Sequence, residues 1–391
     1  MTDTGNTLFD RLLDWIVRVV KDRRNPQGIL QTALRWTRRT LLAATLAYVI
    51  FLLTLLAALE WHGERNWLLS FLLYLPAQGW LLPLLPLTPL CLIFRPRLCL
   101  WHLFCLVAVL FFYMDYHWSR WPEPKGPTIK LITNNRGEAN RQSLTPFIEA
   151  ENPDLIALQE AGRLSAFAQA YPNHHVAAHD EFTLISKFPI KASGVLPAPT
   201  FKGKTVAAWF ELDCRGQTLI VYNIHMPSPR RDLDQLRGLG FPALVFSSAE
   251  SRYGRMRREY QESWALRRQV ALELRDVVAR EQRPCLIAGD LNVPAHGYTY
   301  HLFAARFADA FDKRGRGYGF TLPGTTRNPL SLFGPWLRID YIFSNTVLKP
   351  VYCRTEPHRK SQHRAVVATF EWSVPKENLG QARQNPDNAA Q

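Results

Sequence analysis

Acidic residues are scarce: 33 Asp and Glu stand against 47 Lys and Arg in 391 residues, a net charge of +14. That balance favours polyanionic partners or anionic lipid over neutral ligands. Cysteine is sparse and unpatterned. Cys91, Cys99 and Cys105 lie in the apolar N-terminal third and Cys214, Cys285 and Cys353 beyond it, with no CxxC or other metal-ligand spacing. A redox dithiol and a cysteine-built zinc site are therefore excluded, and the six read as buried thiols that do not fix the compartment. No internal repeat is visible, which argues against a solenoid or propeller. Charge is missing altogether from residues 41–59.

Nineteen uncharged residues at ~1.5 Å rise match the thickness of a hydrocarbon core, so 41–59 reads as a transmembrane helix. It starts too late and runs too long for a signal peptide. A second apolar stretch, 67–94, contains Pro76, Pro83, Pro86 and Pro89, and is expected to kink. A third, 98–114, ends among the interfacial aromatics Tyr113, Tyr116, Trp118 and Trp121. Upstream, residues 7–21 set Leu8, Leu12, Trp15, Ile16 and Val19 on one helical face. The result is an amphipathic segment with a basic tail, fit for a membrane surface or for packing on its own domain. Eight Lys and Arg precede the first span, and Arg95 and Arg97 crowd the loop before the third. The positive-inside rule then puts the N-terminus and that loop in the cytoplasm, and three spans put everything after them outside. The expected organisation is a basic segment 1–40, a membrane region 41–118, a Pro-rich linker 119–127, a domain 128–374, and a polar disordered tail 375–391.

Within that domain the run Pro284-Cys285-Leu286-Ile287-Ala288-Gly289-Asp290-Leu291-Asn292 reads as a buried strand stopping at a turn. Side chains alternate along a strand, so Asp290 and Asn292 project together at its open end, where α/β folds place their chemistry. Other polar residues also follow apolar runs: Asn134-Asn135, Gln159-Glu160, Asn223-Ile224-His225 and Asp340-Tyr341. Ser361-Gln362-His363 precedes one. Strands are expected at 129–134, 154–159, 182–186, 204–213, 217–224, 284–288, 338–343, 349–355 and 365–372, with helices over 138–150 and 263–281. Residues 226–262 read as a basic insertion or lid. It carries Arg230, Arg231, Arg237, Arg252, Arg255, Arg257 and Arg258 among Phe241, Phe246 and Tyr253, a mix suited to nucleic acid or to lipid headgroups.

The order Asn, Glu, Asn-x-His, Gly-Asp-x-Asn, Asp-Tyr, Ser-x-His over residues 128–372 resembles the endonuclease/exonuclease/phosphatase superfamily, and in particular its membrane-bound bacterial members. The resemblance implies an α+β fold, a four-layer sandwich of two packed mixed β-sheets flanked by helices, preceded here by a bundle of transmembrane helices. It also implies a protein of the bacterial inner membrane, for which the three spans and the charge rule give a multi-pass topology with the catalytic domain extracytoplasmic. Phosphoester cleavage needs an activated water, charge neutralisation and help for the leaving oxygen, and a hard cation suits this. Mg²⁺, with Mn²⁺ as the alternative, is the implied cofactor. Glu160 matches the family's metal-binding carboxylate, with Asn135 beside it. Asp290 orients or deprotonates the water, and Asn292 donates to the phosphate. Asp340 and His363 match an Asp–His pair, and either Asp290 or that pair is the general base. Asn223 and His225 match the residues near the leaving group. The departure is Gln362, where the family has an Asp near the metal. Gln keeps an oxygen donor and loses the charge, leaving a metal set of Glu160, Asp290 and Gln362. The expected function is a metal-dependent phosphoesterase acting on a phosphodiester, in nucleic acid or a phospholipid headgroup. The alternatives are a phosphomonoesterase and a weak or inactive membrane scaffold. No protein partner is implied.

Overall fold

The computed structural model describes residues 26–137, 142–234, 240–324 and 334–372. The amphipathic segment 7–21, Arg237, the side chain of Phe241 and the tail from 375 lie outside them. The described chain forms two units, one of residues up to 56 and 78–110, the other of 57–77 and 111 onward.

The first unit is helical. Helix α1, Pro26–His62, begins well before the expected span, because nothing between Pro26 and Arg39 breaks it. The 67–94 stretch is not one kinked helix. It divides into α2 (Trp67–Leu72), which belongs to the other unit, a 3₁₀ turn Ala77–Leu81, and α3 (Leu84–Phe94). Pro76 and Pro83 lack an N–H and push their predecessors out of helical geometry, which accounts for both breaks. Helix α4, Cys99–Val107, continues through a wider turn, Ala108–Tyr113. Three helical segments, Gly28–Arg65, Ala77–Phe94 and Pro96–Tyr113, are long and apolar enough to cross a membrane. Leu46, Ile50, Phe51, Leu85, Leu92, Ile93, Leu100 and Leu103 stand exposed on these helices. Buried His102 finds partners in the interior, 3.2 Å from Thr45 Oγ1 and 3.0 Å from Thr88 Oγ1.

The second unit is a sandwich of two six-stranded mixed sheets. Strands β1 (Thr128–Asn135), β2 (Leu155–Gln159), β3 (His175–His179), β4 (Phe182–Ser186), β5 (Ile190–Val195) and β6 (Ala207–Cys214) come first. They are followed by β7 (Gln217–His225), β8 (Cys285–Asp290), β9 (Ala308–Asp309), β10 (Asp340–Ser344), β11 (Leu348–Thr355) and β12 (Val366–Trp372). One sheet runs β11-β12-β1-β2-β4-β3 and the other β9-β10-β8-β7-β6-β5. Each has a single parallel pair near its centre, β1/β2 and β7/β8. Those pairs carry the expected Asn, Glu, His and Asp residues to one end of the molecule.

Alternation along the strands builds the layers. Ile129, Leu131, Leu155, Leu184, Phe210, Leu219, Leu286 and Phe370 meet between the sheets. The opposite faces pack on helices. Ile132, Ile156 and Val367 meet Phe147 of α5 (Thr145–Glu151). Ile220, Ile287 and Phe343 meet Val270 and Leu274 of a long helix, and Phe303 of Tyr298–Ala304. That long helix spans Arg252–Ala279, so part of the expected insertion is helix rather than loop. Its start is set by Ser251, whose hydroxyl accepts from Gly254 N at 3.0 Å. Beyond it, the Arg, Met, Glu and Gln residues are good helix formers. Strands β3 and β5 and the helix Leu164–Ala170 had no counterpart in the sequence reading.

Candidate active site

Gly289 is what lets β8 deliver Asp290. Its φ is +144°, and a Cβ there would lie 1.9 Å from Ile224 O on the parallel neighbour β7. With the strands so close, Asp290 falls in register with His225 on one side and Asp340 on the other. Three of the expected residues therefore stand in a row across the sheet end.

The fully buried Asp290 carboxylate is the centre. Its Oδ1 accepts from Asn292 N at 2.7 Å, and its Oδ2 accepts from Asn135 Nδ2 at 3.1 Å across the sandwich. The same Oδ2 lies 3.8 Å from His363 Nδ1 and 3.9 Å from His225 Nε2. Burial, and then the neighbouring Asp340 carboxylate, raise the Asp290 pKa against the opposing pull of the two imidazoles. Burial alone would lower His363. Asp340, 3.0 Å from its Nδ1, and then Asp290 more than reverse that and push it up to about 9. The imidazole donates Nδ1–H to Asp340, which leaves Nε2 for a reacting group.

His225 is held by a residue that the sequence reading passed over. Its Nδ1 lies 2.8 Å from Glu181 Oε1. Burial lowers its pKa, but Glu181, Asp290 and Glu160 outweigh this and raise it. Glu181 directly precedes β4, and an acid at a strand boundary was the available signal. Asn223 does not join the cluster. Its Oδ1 accepts from Gln159 Nε2 at 2.6 Å, and its Nδ2 donates to Leu158 O and Thr183 O. Two residues deeper than His225 on the same face of β7, Asn223 ties the two sheets together.

Glu160 is the first residue past β2 and has φ +52°, a conformation a non-glycine residue adopts at a cost and one that clusters at functional sites. Its side chain is 38 % exposed, with Oε1 4.0 Å from His225 Nε2. Gln362 lies to one side, with Oε1 against Gly137, beside the Asn135 Oδ1 that accepts from Gly137 N.

Two positions offer themselves to a metal. Asp290, Asp340 and His363 are the compact ligand cluster among the described residues, each offering an atom within 4.8 Å of the others. That trio differs from the expected Glu160, Asp290 and Gln362. The Asp340–His363 hydrogen bond already uses Nδ1, and an imidazole is a poor partner for a hard cation. Glu160 offers a carboxylate 4.0 Å from His225 Nε2, the same nitrogen that lies 3.4 Å from Asn135 Nδ2 and 3.9 Å from Asp290 Oδ2, and a carboxylate is the donor chemistry that Mg²⁺ prefers. Four carboxylates (Glu160, Glu181, Asp290, Asp340) face two imidazoles here, a negative excess that a dication would balance.

Two stacked mixed sheets that gather carboxylates, amides and imidazoles at one end define a hydrolytic site of acid–base type. The family model described as Endonuclease/Exonuclease/phosphatase family matches residues 132–363, and the chain belongs to that family, whose members are phosphoester hydrolases. No curated protein matches the sequence. Among solved structures it is similar to an endonuclease/exonuclease/phosphatase from Bacteroides vulgatus, at 17 % identity over 63 % of this chain and 100 % of that one, TM-score 0.43. It is also similar to truncated TDP2 from Caenorhabditis elegans, at 18 % identity over 64 % and 100 %, TM-score 0.43. A third is a mannosyl-6-phosphatase from Bacteroides thetaiotaomicron, at 14 % over 62 % and 100 %, TM-score 0.42.

Proposed function

We propose that the protein is a membrane-anchored, Mg²⁺-dependent phosphodiesterase. The observation that supports it most is the convergence of Asn135, His363 and His225 on the Asp290 carboxylate within 3.9 Å. Glu160 would hold the cation, with Asn135 and Asp290 beside it. When bound, Mg²⁺ supplies positive charge against the phosphoryl oxygens and lowers the pKa of an attacking water. The residues supply the rest. Asp290 orients the water and takes its proton, a role its raised pKa suits at neutral pH. Asn292 presents an amide to the phosphoryl oxygens. His363, kept protonated and aligned by Asp340, donates from Nε2 to a non-bridging oxygen. His225, braced by Glu181, gives its proton to the leaving oxygen.

The membrane part rests on the three apolar helices and on charge. Arg38 Nε donates to Phe94 O at 3.2 Å, and Arg95 Nη1 donates to Arg38 O at 3.3 Å. The arginines before the first span and after the second thus share one end of the helical unit, as the positive-inside rule wants of a cytoplasmic face. With three spans the catalytic unit is extracytoplasmic. Reporter fusions at the linker and at the C-terminus test this, and a cytoplasmic-type signal from both would reverse it. A substrate panel on the full chain in detergent, comparing DNA, RNA, phospholipids and phosphomonoesters, tests the reaction class. The reading requires diester turnover that is lost with chelator; turnover of monoesters alone would replace it with a phosphatase.

A further inference from the structure

A segment outside the family match holds the catalytic loop. Residues 57–77 belong to the same unit as the two sheets, although the family match begins at 132. Tyr74 donates its hydroxyl to the backbone oxygen of Asn292 at 2.7 Å. Tyr74 is itself fixed, its backbone oxygen accepting from Trp336 Nε1 at 3.1 Å and its ring lying 5.9 Å from that of Trp264. Burial pushes the phenol well above its ordinary pKa, so the hydroxyl stays a donor at any assay pH.

Four residues further along the loop, His296 is caught on two sides. Its Nδ1 lies 2.6 Å from Glu60 Oε2, and its Nε2 donates to the backbone oxygen of Tyr113, on whose ring it also stacks at 4.3 Å. Buried Glu64 then accepts from the backbone N–H groups of Tyr298 and Thr299, at 2.7 and 2.5 Å. Glu60, Glu64, Tyr74 and Tyr113 thus bind one stretch, 292–299, which leaves β8 directly after Asp290.

That stretch needs holding. Asn292 has φ +53°, in the left-handed region that asparagine enters more readily than other side-chain-bearing residues but less readily than glycine. Its N–H fixes Asp290 Oδ1 at 2.7 Å, and its Nδ2 donates to Met226 O at 2.8 Å. If the Asn292 carbonyl loses its partner, the 292–293 peptide is free to turn, which loosens the left-handed conformation at Asn292 and, through its Cα, the preceding peptide whose N–H aims Asp290. We propose that Tyr74, on the 57–77 strap, is a positioning residue of the phosphoesterase site that acts through the backbone of Asn292. The proposal rests on the phosphodiesterase reading for its activity readout alone.

The test uses the full chain in detergent with Tyr74→Phe. Ser70→Ala serves as the control, because Ser70 lies on the same strap but donates to Tyr260 Oη at 3.0 Å and not to the loop. In Tyr74→Phe, kcat on bis-p-nitrophenyl phosphate should fall about tenfold with KM within about twofold, the loss of one well-aligned hydrogen bond. Amide hydrogen exchange over 291–296 should quicken by a similar factor while β7 stays protected. Ser70→Ala should leave both readouts at wild-type values. Unchanged kcat in Tyr74→Phe, or the same loss in Ser70→Ala, would overturn the positioning role. A wild-type chain with no turnover would sink the phosphodiesterase reading instead, and faster loop exchange in Tyr74→Phe would still support the strap as the holder of the loop.

Discussion

Glu181→Gln should pull the alkaline limb of the kcat/KM profile down by roughly 0.7 pH unit, on a balance struck at His225. Burial disfavours the imidazolium, and the Glu181 contact at 2.8 Å is the first of the groups that restore it. A hydrogen bond between charged groups contributes about 1.5–3 kcal/mol when buried. Glu181 is 39 % exposed, so solvent screening cuts that to about 1 kcal/mol. At 1.36 kcal/mol per pKa unit this is the shift quoted. The sign follows from the role: a general acid must be protonated, a lower pKa empties it sooner, and activity is lost at lower pH. Diphenyl phosphate is the substrate to use, since phenolate needs the proton more than p-nitrophenolate does. An alkaline limb that stays put in Glu181→Gln, with wild-type kcat, would remove His225 from the leaving-group role.

Glu160→Gln keeps shape and loses the charge that holds the cation, so Mg²⁺ affinity by calorimetry should weaken by more than the roughly 10- to 100-fold typical of an outer-shell partner, with the thermal midpoint of the metal-free protein unchanged. In chelator, His363 should make stability depend on pH. Its folded pKa of about 9 lies above the ordinary value of 6.5, so its contribution is complete below about 6.5 and is lost as pH rises through 9. Urea titrations should show that fall in wild type and not in His363→Gln. Gln362→Asp restores a hard, charged ligand beside Asn135, and calorimetry should then show a second Mg²⁺ event that wild type lacks. A two-step isotherm in wild type would count against Gln362 as the reason for a single metal.

The site was legible in the sequence where chemistry and strand periodicity coincide. Asp290, His225 and Asp340 each sit at a strand end, where the register of β7, β8 and β10 aligns them, with Asn292 two residues past β8 and His363 three residues before β12. Glu181 was not legible, because its partner is 44 residues away and only the β4 edge brings them together. Asn223 was legible as a polar residue beside the site but not as a bridge, since its direction depends on how the second sheet packs. The strap was hidden for a further reason. Apolar residues 67–77 look alike in a membrane and against a protein, and only contacts such as Tyr74 to Asn292 separate the two. The break at Pro76 was visible, yet a proline also fits a kinked span. The long helix was legible from 263 onward, while its first turns, 252–262, read as part of an insertion or lid that the Ser251 cap turns into helix.

Hydrolysis of a phosphodiester by the full chain, measured against Mg²⁺ in wild type and in Asp290→Asn, tests the central claim most directly. Asp290→Asn keeps the buried volume while removing the proton acceptor, and leaves a single side-chain oxygen where Asp290 accepts from both Asn292 N and Asn135 Nδ2. The rate should rise with Mg²⁺ in wild type, vanish with chelator, and fall by about 100-fold or more in Asp290→Asn. Turnover in Asp290→Asn equal to wild type, or no Mg²⁺-dependent turnover in wild type on any phosphodiester, would contradict the account.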